Sequence, residues 1–134
     1  MIQKLSHIGV AVRDLESAKK IFSKLLDADC SDTEIVVEQN VKLTFFKLGN
    51  ISIELTEATS TESPIAKYIE KRGEGIHHIS FEVDDIRSEL ARLKADGFQL
   101  IDEQPRLGAE GHLIAFVHPK SASGVLIELS QKVK

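Results

Sequence analysis

The sequence predicts an α+β fold made of two paired βαβββ modules, and two observations carry that prediction. One is an internal repeat. His7, Ile8, Val12, Asp14 and Ser17 recur as His78, Ile79, Val83, Asp85 and Ser88 at a constant offset of 71 residues, and Ile53-Glu54-Leu55 recurs as Ile127-Glu128-Leu129 at an offset of 74. Histidine comes first and glutamate last in both halves, as expected of a duplicated unit. The other observation is the period of the apolar residues, which changes along each half from a short strand-like run to a helical spacing and then to alternation.

Leu5 to Val12 is a β-branched apolar run. Asp14 or Ser17 can cap a helix reaching about Leu26, in which Ala18, Ile21, Phe22, Leu25 and Leu26 recur at three- and four-residue spacing. From Ile35 to Thr56 the period drops to two, with turns near Gln39-Asn40 and Gly49-Asn50. The second half repeats the order: a strand over Ile76–Val83, and a helix from Asp85 to about Ala95 with Ile86, Leu90 and Leu93 on one face and Gly97 as its stop. Strands follow beginning at Phe98–Ile101 and over Leu113–Val117 and Val125–Leu129, and Pro105, Gly108 and Gly111 mark a loop. Between the halves, Ser63-Pro64 opens a linker helix that Gly73 and Gly75 release. The expected organisation is a single domain, 1–134, with modules of approximately 1–59 and 75–134.

Composition narrows the function. With 17 basic and 21 acidic side chains the formal charge is −4, and neither sign forms a block suited to a nucleic-acid groove or a polybasic membrane surface. No apolar run approaches the roughly 20 residues needed to cross a bilayer, and the start of the chain lacks a secretory apolar region, so no membrane partner is expected and the cytoplasm is the expected location. The single cysteine, Cys30, reads as a reduced structural thiol.

His7, Glu54, His78 and Glu128 occupy equivalent places in equivalent modules. Each glutamate sits between large apolar neighbours, so its side chain points to the opposite face of its strand. If those faces curve around a common space, two imidazoles and two carboxylates meet there. That donor set suits a divalent zinc, cobalt, nickel, manganese or iron ion. The competing reading is two satisfied core histidines with glutamates at strand surfaces. His77 points away from His78. Gly73-Glu74-Gly75 and Gly108-Ala109-Glu110-Gly111 lack phosphate-loop spacing. His118-Pro119-Lys120 reads as a turn, and Lys71, Arg72, Arg106 and Lys120 read as solvated charges, with a phosphate-bearing substrate as the alternative.

At these residues the chain resembles the methylmalonyl-CoA epimerases of the vicinal oxygen chelate (glyoxalase/bleomycin resistance/dioxygenase) superfamily. The resemblance is carried by His7–Val12, Ile53-Glu54-Leu55, Pro64–Lys67, Gly73–Ile79, Val83–Ile86, His118-Pro119-Lys120 and Gly124–Leu129. It implies a cupped vicinal oxygen chelate domain that holds one divalent metal ion, with cobalt, zinc, manganese and nickel as candidates, through His7, Glu54, His78 and Glu128. It also implies a CoA thioester substrate, a homodimer, and epimerisation at C2 through an enolate, with Glu128 as a proton carrier. One position departs from the pattern: a second glutamate base of some members matches Leu43, which cannot move a proton, so the opposite-face acid/base is Glu54 in an altered role, an ordered water or another nearby group. A lactoylglutathione lyase-like isomerisation on the same scaffold is the alternative reaction. A non-catalytic small-molecule-binding protein is less favoured, because the ligand set is complete and the aromatics are few.

Overall fold

The two helices of the repeat begin in the same way. In the computed structural model, which describes residues 1–133, Asp14 caps α1 (Leu15–Leu26) and Asp85 caps α3 (Ile86–Ala95). Asp14 accepts from the amides of Glu16 and Ser17 and from the Ser17 hydroxyl. Asp85 accepts from the Ser88 amide and hydroxyl. The recurrence of Asp and Ser three residues apart is therefore a recurrence of helix caps. Each first helical amide has a second repeated partner: Leu15 N–H donates to Glu57 Oε1 and Ile86 N–H to Gln131 Oε1, each over 2.7 Å. Glu57 and Gln131 keep the 74-residue offset of Glu54 and Glu128.

The strands are β1 (Ile2–Ala11), β2 (Glu34–Val36), β3 (Val41–Leu48), β4 (Ile51–Ala58), β5 (Gly75–Val83), β6 (Arg106–Leu107), β7 (Leu113–Val117) and β8 (Ile127–Gln131). The linker helix α2 spans Pro64–Arg72 between the Ser63 cap and Gly73. Turns fall where the sequence places them, with Asn40 left-handed at φ 54° and Gly49 at φ 65°.

The chain divides into two compact units. One, Ile8–His77, has strand order β2-β3-β4-β1, with β2, β3 and β4 antiparallel. Its core lies under α1, where Leu15, Ala18, Phe46 and Leu55 are buried with Val12 against Phe22, Leu26 and Ile53. The other unit contains Met1–His7 and the chain from His78 onward, in the order β1-β5-β8-β7-β6. There β5 and β8 are parallel while β8, β7 and β6 are antiparallel, and Val83, Ile86, Leu90, Leu93, Ala115, Val117 and Leu129 form the core under α3. The boundary cuts β1 between His7 and Ile8 and β5 between His77 and His78. Lys134, the last residue assigned to the second module, lies outside the described residues.

Three local expectations change. Ile21 and Leu25 are 61% and 72% exposed, because the buried stripe of α1 runs through Leu15, Ala18, Phe22 and Leu26 and leaves them on its flank. Phe98–Ile101 forms only a bridge from Leu100 to Val117, and the strand of this region is Arg106–Leu107, inside the expected loop. The final strand begins at Ile127, two residues later than expected.

Phe46 is fully buried, so Phe46→Ala is expected to cost about 3–5 kcal/mol in chemical denaturation, whereas Leu25→Ala should stay within about 0.5 kcal/mol of the parent. The caps give a pH signature. The Ser17 hydroxyl holds the Asp14 carboxyl below its ordinary range, and the Ser88 amide does the same for Asp85. Cap stabilisation is present above the ordinary carboxylate range and lost as pH falls through the depressed values. An Asp14→Ala/Asp85→Ala variant should melt below the parent at neutral pH and converge with it in acid.

Candidate metal centre

Strand alternation sorts the side chains of the unit under α3. Phe81, Val83, Ala115, Val117, Ile127 and Leu129 pack toward the helix. His78 and Ser80 on β5, Glu128 and Ser130 on β8, and Ile114 and Phe116 on β7 therefore occupy the opposite face. The register places Glu128 beside Ser80 on one side and Phe116 on the other. His7, His78, Ser80, Glu128 and Ser130 are all buried.

His7, His78 and Glu128 converge there. The two imidazole Nε2 atoms are 3.1 Å apart, and Glu128 Oε1 lies 3.2 Å from His7 Nε2 and 3.9 Å from His78 Nε2. Glu128 Oε1 is buried, yet it has no hydrogen bond of good geometry among the described residues. Two imidazole nitrogens 3.1 Å apart, of which one must carry the proton that joins them, beside a buried carboxylate oxygen make a dense cluster of donors. They fit a cation. Donors about 2.1 Å from a common ion, at angles between 90° and 110°, stand about 3.0–3.4 Å apart, close to the separations of His7 Nε2 from both partners.

Burial pushes the Glu128 carboxyl up, but its contact with His7 and the charge of His78 outweigh burial and bring it down to about 2, leaving it ionised at neutral pH. Ser6 Oγ lies 3.2 Å from His7 Nδ1. In the tautomer that donates this proton to Ser6, the Nε2 lone pair is presented to the site. The His78 ring stands perpendicular to that of Phe116 at a centroid distance of 5.7 Å, which fixes the plane of the second imidazole.

In the other unit Glu54 lies on β4 between Ile53 and Leu55, which pack under α1, so its carboxylate takes the opposite face. It is buried and accepts a 3.1 Å hydrogen bond from the Thr56 hydroxyl. Its cross-strand neighbours continue that face: Phe45 stands opposite Glu54, and Leu43 opposite Thr56. Leu43 is buried and has no titratable group. His7 and His78 are buried imidazole donors in one unit and Glu54 is a buried carboxylate in the other; donors of these types suit a single divalent metal ion and leave its identity open.

The remaining expectations sort by contact. His77 packs its ring on Tyr68 of α2 at 5.0 Å, away from His78. His118 Nδ1 accepts from the Lys120 amide and caps a short turn. Glu74 accepts from the Arg13 amide, which accounts for the Gly73-Glu74-Gly75 loop without a phosphate. Sequence reading missed Ser80, Thr56, Ser6 and Phe116. The first two were within reach, because each lies two residues beyond a candidate ligand on the same strand. Phe116 enters only through its register with Glu128.

Residues 6–116 match the model of the Glyoxalase/Bleomycin resistance protein/Dioxygenase superfamily. The chain is 39% identical over 132 residues to the mitochondrial methylmalonyl-CoA epimerase of Dictyostelium discoideum, covering 98% of this chain and 80% of that protein. It is 38% identical over 133 residues to the ethylmalonyl-CoA/methylmalonyl-CoA epimerase of Cereibacter sphaeroides, covering 98% and 99% of the two chains. Among solved structures, a variant of Streptomyces coelicolor methylmalonyl-CoA epimerase in complex with 2-nitronate-propionyl-CoA superposes with a TM-score of 0.95 at 32% identity, covering 99% of this chain and 96% of that one.

Removing both imidazoles, as in His7→Ala/His78→Ala, is expected to abolish stoichiometric uptake of cobalt, zinc, manganese and nickel in elemental analysis. Circular dichroism should retain the folded signal. Metal content unchanged in that variant would exclude this centre.

Proposed function

We infer the reaction from one premise: the chain belongs to the Glyoxalase/Bleomycin resistance protein/Dioxygenase superfamily and, within it, to the methylmalonyl-CoA epimerase family. The protein is a metal-dependent isomerase that interconverts the C2 epimers of methylmalonyl-CoA. The observation that carries this reading is the buried convergence of His7 and His78 Nε2 with the orphaned Oε1 of Glu128. The complex of the Streptomyces relative with 2-nitronate-propionyl-CoA supports a CoA thioester as substrate.

Residues 1–134 act as one functional domain, and His7, Glu54, His78 and Glu128 are assigned as the ligands. The bound divalent ion, whether cobalt, zinc, manganese or nickel, supplies fixed positive charge that offsets the charge developing on the thioester oxygen. The chain's own carboxylates move the proton. The C2–H bond breaks, its electron pair enters the thioester carbonyl to give an enolate, and a carboxylate oxygen of Glu128 takes the proton. Return of a proton to the other face of C2 gives the opposite epimer, and Glu54 is assigned to that step. The Thr56 hydroxyl donates to Glu54 Oε1; Glu54 enters the step protonated and gives its proton to C2, the proton taken by Glu128 passes to solvent, and the reverse epimerisation exchanges the two roles. Leu43 offers no proton and lines the same face with carbon. With that residue inert, Glu54 has two tasks.

The protein is further proposed to act as a cytoplasmic homodimer. A lone free cysteine supports a reducing compartment. The exposed side chains of Ile21, Leu25, Ile35 and Val37 support self-association, which a solution mass by light scattering would test.

Incubating one epimer with the metal-loaded protein in deuterated water is expected to give the other epimer with deuterium at C2. Glu128→Gln should slow exchange by about 100-fold or more. Absence of both epimer and label across the four metals, with the site occupied, would reject the substrate. Epimerisation without label would reject the solvent-exchanged enolate route.

A further inference from the structure

We propose that Arg106 binds an anionic group of the substrate, an inference that rests on the thioester reading above. Arg106 pairs with Ile114 across β6 and β7, and Ile114 with Ser130, so its side chain lies on the face that carries Phe116 and Glu128. The guanidinium carbon stands 5.8 Å from the centre of the Phe116 ring, and that ring meets His78 at 5.7 Å. Arg106 is therefore one aromatic ring away from a candidate metal ligand.

Its electrostatic setting is lopsided. Asp102 is 15% exposed in its side chain and accepts from the Phe116 amide through Oδ2, which ties the carboxylate to the strand. Its Oδ1 stands 3.3 Å from Arg106 Nε. Nε is buried and makes no hydrogen bond of good geometry among the described residues. The Arg106 side chain is 36% exposed, and its two terminal nitrogens have no carboxylate partner among the described residues. The guanidinium is thus held along its stem by an aromatic face and a fixed acid, while its outer edge is left to donate. A planar pair of N–H donors recognises a carboxylate or a phosphate.

Lys71, Arg72 and Lys120 lack this setting. Lys71 and Lys120 are exposed, and Arg72 lies at the end of α2, over Tyr68. A CoA thioester of a 2-carboxy acid offers two kinds of oxyanion: the carboxylate beside the reacting carbon and the phosphates of the CoA end. Both suit the same donor pair. Because the anion is bound in substrate and enolate alike, Arg106 should act on KM and leave kcat nearly unchanged.

Steady-state epimerisation of methylmalonyl-CoA and of methylmalonyl-pantetheine, which has no phosphate, would be measured for the parent, Arg106→Gln, Arg106→Lys and a Lys71→Gln control. Arg106→Gln is expected to raise KM at least about tenfold with kcat changed less than about threefold, and Lys71→Gln to leave both unchanged. A rise with both substrates assigns the carboxylate. A rise confined to the CoA thioester assigns a phosphate. An unchanged KM for both, or a fall in kcat and melting temperature at constant KM, overturns the inference. Calorimetric binding of malonyl-CoA to the same variants separates this result from the reaction itself. A parent that binds but does not epimerise refutes the reaction, while weaker binding by Arg106→Gln still supports the anion contact. A parent that does not bind malonyl-CoA refutes both.

Discussion

An ionised carboxylate buried between two imidazoles is the constraint around which the rest of the site is arranged. Taking Glu128 out of water costs several kcal/mol unless charge is returned to it. The Nε2 atoms of His7 and His78 stand 3.2 and 3.9 Å from its Oε1 and form the polar surround of the carboxylate. This requires two strands distant in sequence to lie in one sheet neighbourhood, and the parallel pairing of β5 with β8 provides part of it by setting Ser80, two residues beyond His78, beside Glu128. Phe116, opposite Glu128 on β7, then closes the site laterally with a ring perpendicular to that of His78.

The alternation that builds this polar face also builds the core. Leu129 and Ile127 flank Glu128 and pack toward α3, while Leu55 and Ile53 flank Glu54 and pack toward α1. Shifting either strand by one residue would bury the carboxylate under a helix and turn two large apolar side chains outward, so the hydrophobic effect enforces the same register that the chemistry needs. The helices are tied to these strands by Glu57 and Gln131, which receive the first helical amides. Each module therefore locks its helix cap, its core strand and its candidate ligand through residues that keep a fixed spacing in sequence.

Equivalence between the modules stops at the substrate side. Leu43 places buried carbon on the face of Glu54, whereas the other module places Arg106 and Phe116 on the face of Glu128. The two modules therefore repeat the ligand positions while differing in the residues that share each ligand's strand face.

Much of this was legible from the chain alone. The duplication, the element order, the Asp14 and Asp85 caps, the Gly49-Asn50 turn and the four candidate ligands are local or periodic signals, and a period of two or 3.6 residues is written directly in the order of side chains. Tertiary structure decided what depends on pairing partners. The buried stripe of α1 bypassed Ile21 and Leu25 because packing selects one arc of an apolar helix. The two-residue strand at Arg106–Leu107 exists only because β7 is there to receive it, since so short a segment has too few residues to show a period. The 3.1 Å meeting of His7 with His78, and the placing of Phe116 against that pair, depend on register between strands far apart in sequence, which spacing along one chain does not encode.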